Sequence, residues 1–247
     1  MNYTPIQLEN VSFSYHETLL FDHLNFTLTP NKITCLLGPS GVGKSSLLRL
    51  IAKLAPVGKE EKSSGIVHTD TSQITYMAQD DLLLPWLSAM DNALLIAELN
   101  PAQCDLKNLV RNAKDLFSKM GLRGSENKLP KQLSGGMRQR VALARTLLTD
   151  RSIILMDEPF SGLDALTRLE MQTLSAKLLK DRTVLLVTHD LFEALRLGQE
   201  IYILSGHPAK ITYRLILDSP IPRDLADPEV IHHQAEIFHA LAKDKFL

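Results

Sequence analysis

Gly38-Pro39-Ser40-Gly41-Val42-Gly43-Lys44-Ser45 places three glycines, a lysine and two hydroxyls in one short stretch. That order suits phosphate chemistry. Backbone N–H groups of such a loop, and of the helix start behind it, converge on an anion, and glycine lets the chain wrap closely around it. Lys44 supplies a point charge to β- and γ-phosphates, and Ser45, followed by Ser46, supplies a hydroxyl oxygen for Mg²⁺. A second stretch, Ile153-Ile154-Leu155-Met156-Asp157-Glu158, ends an apolar run on two carboxylates. At the mouth of a buried strand Asp157 can hold Mg²⁺ through water, and Glu158 can orient or deprotonate an attacking water. A third, Leu133-Ser134-Gly135-Gly136-Met137-Arg138, puts a natural N-cap before two glycines and so opens a second phosphate-binding helix start.

These groups need elements to hold them. Ile6, Leu8, Val11, Phe13 and Tyr15, then Leu24, Phe26 and Leu28, alternate with polar residues, the period of antiparallel strands with one buried face. Ile33 to Leu37, Ser152 to Met156 and Thr183 to Thr188 are instead continuous apolar runs, each feeding a loop and a helical pattern. Such runs belong to strands covered on both faces of a parallel sheet. Residues from about 80 to 131 are Leu- and Ala-rich without a strand pattern, which predicts an inserted α-helical subdomain between core segments 1–79 and 132–247. Asp227 and Pro228 predict the cap of a last helix, with Val230, Ile231, Ile237, Phe238 and Leu241 on its apolar side. Lys59 to Gly65 reads as an exposed loop before a short strand, Ile66 to His68. The predicted class is α/β, a P-loop NTPase with a mostly parallel core sheet and an antiparallel N-terminal β-subdomain.

Composition narrows the function classes. The chain has 247 residues, 45% hydrophobic and 22% charged, with a formal charge of −1. The apolar share excludes wholesale disorder, and the charge balance argues against a broad basic surface for nucleic acid. Cys35 and Cys104 are too few for a disulfide framework and fit a reducing compartment. No apolar run approaches the about 20 residues that span a bilayer, and Met1 to Asn10 lacks the order of a signal peptide. A soluble chain on the cytoplasmic side is expected, with any membrane part supplied by another chain.

Together the three stretches resemble the ATP-binding-cassette (ABC) ATPases, and the resemblance spans nearly the whole chain as one domain, 1–247. It implies that Ser134, Gly135 and Gly136 of one copy close over ATP–Mg²⁺ held by the loop of a second copy. It implies that Tyr15 stacks on adenine, that Gln79 reaches the metal and the attacking water, and that His189 contacts the γ-phosphate. Ser161-Gly162-Leu163-Asp164 resembles the loop that communicates across the dimer, with Gly162 where Ala is more common. The catalytic set is then Glu158, His189 and Gln79, and the metal set Ser45, Gln79 and Asp157. Residues 38–46 and Tyr15 bind the nucleotide with the partner's glycines.

Within the family the chain is similar to importer ATPases, through Pro130 just before Gln132-Leu133-Ser134. Met137, and the run Gln79-Asp80-Asp81-Leu82-Leu83-Leu84-Pro85-Trp86, are similar to the branch serving nitrate, sulfonates, taurine or pyrimidine precursors. The implied partners are a second copy, an integral permease at the inner membrane and, indirectly, a substrate-binding protein, with no nucleic acid. Too little chain follows Gly206 for the regulatory β-domain of some importers. The alternative is a cassette driving a DNA- or ribosome-associated machine, and a non-catalytic structural cassette is disfavoured because every catalytic position is filled. Trp86 either docks the permease or packs internally. Asp80-Asp81 reads as polar surface, and the histidines other than His189, including His232-His233, show no ligand spacing and read as surface residues.

Overall fold

A computed structural model describes residues 6–15, 18–54, 61–98, 105–149 and 151–242; Tyr15 and Cys35 fall within these segments, and Cys104 outside them. Strands β1 (Gln7–Tyr15), β2 (Thr18–Thr27) and β4 (Glu61–His68) form an antiparallel sheet in the order β2-β1-β4. Leu8 and Val11 both turn inward, although three positions separate them, because Asn10 adopts a φ of +49° at a bulge between them. Gly65 sits opposite, where a Cβ would come within 2.4 Å of the Asn10 carbonyl oxygen.

β4 corrects the expected loop. Glu61 to Ser64 pair with β1, Tyr15 opposite Glu61 and Phe13 opposite Ser63, and Gly65 falls at the bulge. Lys62 to Gly65 are exposed and held by backbone bonds, so no apolar pattern announced this half of the strand. Lys59 and Glu60 lie outside the described residues.

The second sheet has the order β5-β6-β7-β3-β8-β9. β3 (Ile33–Leu37), β5 (Ile74–Met77), β6 (Ile153–Asp157), β7 (Thr183–Thr188) and β8 (Glu200–Ser205) run parallel, and β9 (Lys210–Ile216) closes the edge antiparallel to β8. The continuous apolar runs are buried on both faces, as expected. Cys35, Met156 and Leu186 join one apolar cluster with the helices, while Leu36, Leu155 and Val187 join another under β1, β2 and helix α1 (Lys44–Ile51).

Between β5 and α4 (Gly135–Leu147) lie α2 (Ala89–Glu98) and α3 (Leu106–Lys119) and, among the described residues, no strand. α5 (Ala165–Leu178) and α6 (Leu191–Leu197) flank β7 in sequence. α7 (Pro228–Ala242) starts where predicted, with the Asp227 carboxylate accepting from Glu229 N at 2.9 Å. Its apolar side is narrower than expected. Val230 and Ile237 are buried, while Ile231 and Phe238, each one position further on, turn about 100° away and are exposed. Among the described residues no helix is long and apolar enough to cross a membrane.

Candidate active site

β3 delivers the chain to the glycine-rich loop at the carboxyl end of the parallel sheet, where α/β proteins place their ligands. Gly38 is required by its neighbour: a Cβ there would lie 2.3 Å from the Leu204 carbonyl oxygen of β8. Gly41 and Gly43 hold φ values of +81° and +105°, and Gly43 is the N-cap of α1. Val42 points the other way and is buried in the core. The Lys44 ammonium folds back over the loop, donating to Gly38 O at 2.8 Å and Pro39 O at 2.9 Å. Its burial pushes its pKa down, opposed by the Glu158 and Asp157 carboxylates.

Ser40, Gly41, Gly43, Lys44, Ser45 and Ser46 line one wall of a cleft of about 310 Å³, and Gln79, Glu158 and His189 line the other. Four segments singled out in the sequence, far apart along it, therefore meet at one mouth. Asp157 lies beneath, buried at the end of β6. Burial pushes its carboxyl up, partly offset by the Ser45 hydroxyl bonded to it. Tyr76 Oη donates to its Oδ2 at 3.5 Å, while Oδ1 is buried with no hydrogen-bond partner. An orphaned carboxylate oxygen beside a serine hydroxyl is a donor set suited to a hard divalent cation.

Glu158 stands in the left-handed region, φ +47°, an uncommon conformation for a residue with a Cβ. Val187 O accepts from Glu158 N at 2.9 Å, and Glu158 O accepts from Ser161 N at 3.2 Å, so both sides of the strained residue are tied. That twist aims the carboxylate into the cleft. His189 Nδ1 is 2.9 Å from Glu158 Oε1, and Gln79 Nε2 donates to Oε2 at 3.4 Å. Each oxygen of one carboxylate thus faces a different predicted partner.

Not every predicted residue joins this cleft. Tyr15 ends β1, 48% exposed, and is not among the cleft-lining residues, whereas Leu20 of β2 is one that the sequence did not indicate. Ser134 caps α4, its hydroxyl accepting from Met137 N at 3.3 Å, and Gly135 beside it is exposed. Gly136 packs beside the following loop, a Cβ there lying 3.7 Å from Gly162 O. These residues stand apart from the cleft of their own chain.

Three surface readings are refined. Asp81 is not free polar surface: its Oδ2 accepts from Arg138 Nε at 2.9 Å, while Asp80 is exposed. His232 and His233 both reach Glu236, with donor atoms of all three within 4.8 Å of one another, a proximity that the helical turn creates and linear spacing hides. Trp86 is 70% exposed and does not pack internally.

The family model for ABC transporters matches residues 21–161. An aliphatic sulfonates import ATP-binding protein, SsuB 2 of Pseudomonas syringae pv. tomato, is 40% identical over 233 residues, covering 94% of each chain. The formylaminopyrimidine import ATP-binding protein ThiZ of Halalkalibacterium halodurans is 40% identical over 206 residues, 82% of this chain and 80% of that one. Among solved structures, the dimeric post-hydrolysis state of the ATP-binding cassette MJ0796, bound to ADP and Pi, superposes with a TM-score of 0.71. It is 29% identical and covers 87% of this chain and 99% of its own. Family model, relatives and solved cassette coincide on this chain, which belongs to the ABC transporter family as an ATP-binding cassette.

Proposed function

We propose that two copies of this chain hydrolyse ATP to power an importer of a small solute, bound at the cytoplasmic face of an inner-membrane permease. The observation that carries the hydrolytic reading is the Glu158 carboxylate set between His189 and Gln79 at the mouth of the phosphate loop. The Lys44 ammonium, now on two loop carbonyls, swings to the β- and γ-phosphates, and loop N–H groups cradle them. Ser45, Asp157 and Gln79 would hold Mg²⁺, which would neutralise phosphate charge when bound. Glu158 accepts the proton of the attacking water, Gln79 orients that water, and His189 holds the γ-phosphate. Tyr15 supplies the adenine face.

The exposed Ser134–Gly136 helix start fits a ligand held by the second copy, which also accounts for its distance from its own cleft. Residues 80–131 act as the helical unit that moves against the core on closure and conveys that motion to the permease, with Trp86 in the contact. The solute class follows the named relatives, sulfonates or a formylaminopyrimidine, delivered to the permease by a substrate-binding protein.

The deciding experiment uses Glu158→Gln. This variant binds ATP and accumulates as a dimer on size exclusion, with hydrolysis reduced at least about a hundredfold. Hydrolysis at the wild-type rate overturns the assignment of Glu158.

A further inference from the structure

Behind the Glu158–His189 pair lies a smaller cavity of about 60 Å³, walled by that pair and by Phe160, Ser161, Arg168, Thr188, Asp190 and Glu193. This exceeds the ~10–15 Å³ that one water requires, and the walls are polar enough to hold it. Glu193 enters from α6 and is only 4% exposed. Gln172 Nε2 donates to its Oε2 at 3.5 Å, and Oε1 has no hydrogen-bond partner in the protein. A buried carboxyl oxygen without a partner, on the wall of a polar void, is a place for bridging water.

We propose that Glu193 is a positioning residue of the hydrolytic centre, holding the Glu158–His189 pair in its working geometry through water in this cavity. The proposal rests on the hydrolytic roles given above to Glu158 and His189. Burial, reinforced by Asp190 at the N-cap of the same helix, pushes the Glu193 carboxyl up to about 8. The Thr188 hydroxyl of β7, bonded to the carboxyl, opposes that rise together with the Arg168 charge and the Gln172 amide of α5. Arg168 is itself shared with Asp190 at 3.4 Å, and the Cys35 thiol of β3 contributes no charge because burial keeps it protonated. Near neutral pH the carboxyl therefore keeps its proton and donates a hydrogen bond into the cavity. Once ionised it presents negative charge toward the Glu158 carboxylate and pulls the pair apart.

The test measures kcat, KM and ATP affinity between pH 6 and 9.5, on the order of the range that brackets the shifted group, for wild type, Glu193→Gln and Glu193→Leu. Wild-type kcat falls above about pH 8, approaching tenfold per pH unit, and Glu193→Gln, which donates but cannot ionise, loses this alkaline limb. Glu193→Leu lowers kcat about tenfold to a hundredfold at every pH with ATP affinity unchanged. An unaltered alkaline limb in Glu193→Gln, or equal loss of ATP binding and kcat in Glu193→Leu, overturns the proposal. If Glu193→Leu does not fold, the Gln profile decides alone. Glu158→Gln run beside them separates the two ideas, since hydrolysis persisting there removes the hydrolytic assignment whatever Glu193 does.

Discussion

Arg138 Nε donates to Asp81 Oδ2 across 2.9 Å, joining the helix that opens with Ser134 to the loop that follows Gln79. Arg145, two turns further along α4, donates to Asp81 O at 2.8 Å and Leu82 O at 3.0 Å. One helix face thus grips the loop by side chain and backbone. Under the proposed function, in which Ser134–Gly136 serve the partner's nucleotide and Gln79 its own, this grip would couple the two sites. A double-mutant cycle of Asp81→Ala and Arg138→Ala, read on kcat, should show a coupling of about 1 kcal/mol. Purely additive effects would show the pair to be idle.

Lys44→Ala removes the only side-chain cation of the phosphate loop, leaving the backbone N–H groups to bind alone. Nucleotide Kd should rise about tenfold or more, the worth of a charge-assisted bond. Equilibrium titration with a fluorescent ATP analogue measures it, and unchanged affinity would remove Lys44 from the phosphate site.

Two loop glycines should respond differently to alanine. Gly38→Ala drives a Cβ to 2.3 Å from the Leu204 carbonyl oxygen, a rigid strand atom, and should cost about 3 kcal/mol or more. Gly41→Ala meets open space and suffers only its φ of +81°, about 1–2 kcal/mol. Thermal melts should rank Gly38→Ala lower, and the reverse order would contradict the close approach to β8.

The loop bearing Trp86 is held from beneath by the buried Asn92. Its Oδ1 accepts from Leu84 N at 2.7 Å, and its Nδ2 donates to the carbonyls of Leu84, Leu87 and Ser88 at 3.0–3.1 Å. Asn92→Ala should destabilise by about 3 kcal/mol, because the loop groups lose their partner. Trp86→Ala should change stability by less than about 0.5 kcal/mol and leave the ATPase of the isolated chain intact, while weakening co-purification with the permease. A Trp86→Ala melt as damaging as that of Asn92→Ala would place the indole in the core instead.

The Glu193 carboxyl, raised from 4.5 to about 8 by burial, also predicts the pH dependence of stability. Between those values the unfolded chain releases this proton and the folded chain keeps it, so this group's contribution is full below about pH 4 and declines until about pH 8. Glu193→Gln abolishes that decline. Its melting temperature should match wild type near pH 4 and exceed it at pH 8 by about 3 °C or more. Parallel curves for the two proteins would show that Glu193 ionises freely.

Much of the site was legible because its chemistry is local. The loop glycines, Lys44 and Ser45 are consecutive, Asp157 and Glu158 end a strand whose apolar run names it, and Ser134 caps its own helix. The polar half of β4 and the bulge at Asn10 carry no comparable pattern, since backbone pairing with a distant strand makes them.

Spacing by itself therefore determined the fold class, the phosphate loop and the types of group available for hydrolysis. Tertiary structure decided which groups touch. The order β5-β6-β7 brings Gln79, Glu158 and His189 to adjacent strand ends, and the left-handed turn at Glu158 aims one carboxylate at both partners. It also turned an ordinary-looking arginine inward. Arg223 is buried, donating to the carbonyls of Leu195, Gly198, Leu217 and Ser219, a satisfied cation no local pattern marks. The phosphate loop shows the same division: its residues follow one another in sequence, but Gly38 is held to glycine by Leu204, a neighbour only in space. Hydrogen bonds and steric limits act over a few ångströms, so residues far apart in the chain acquire them only after the sheet has set its strand order.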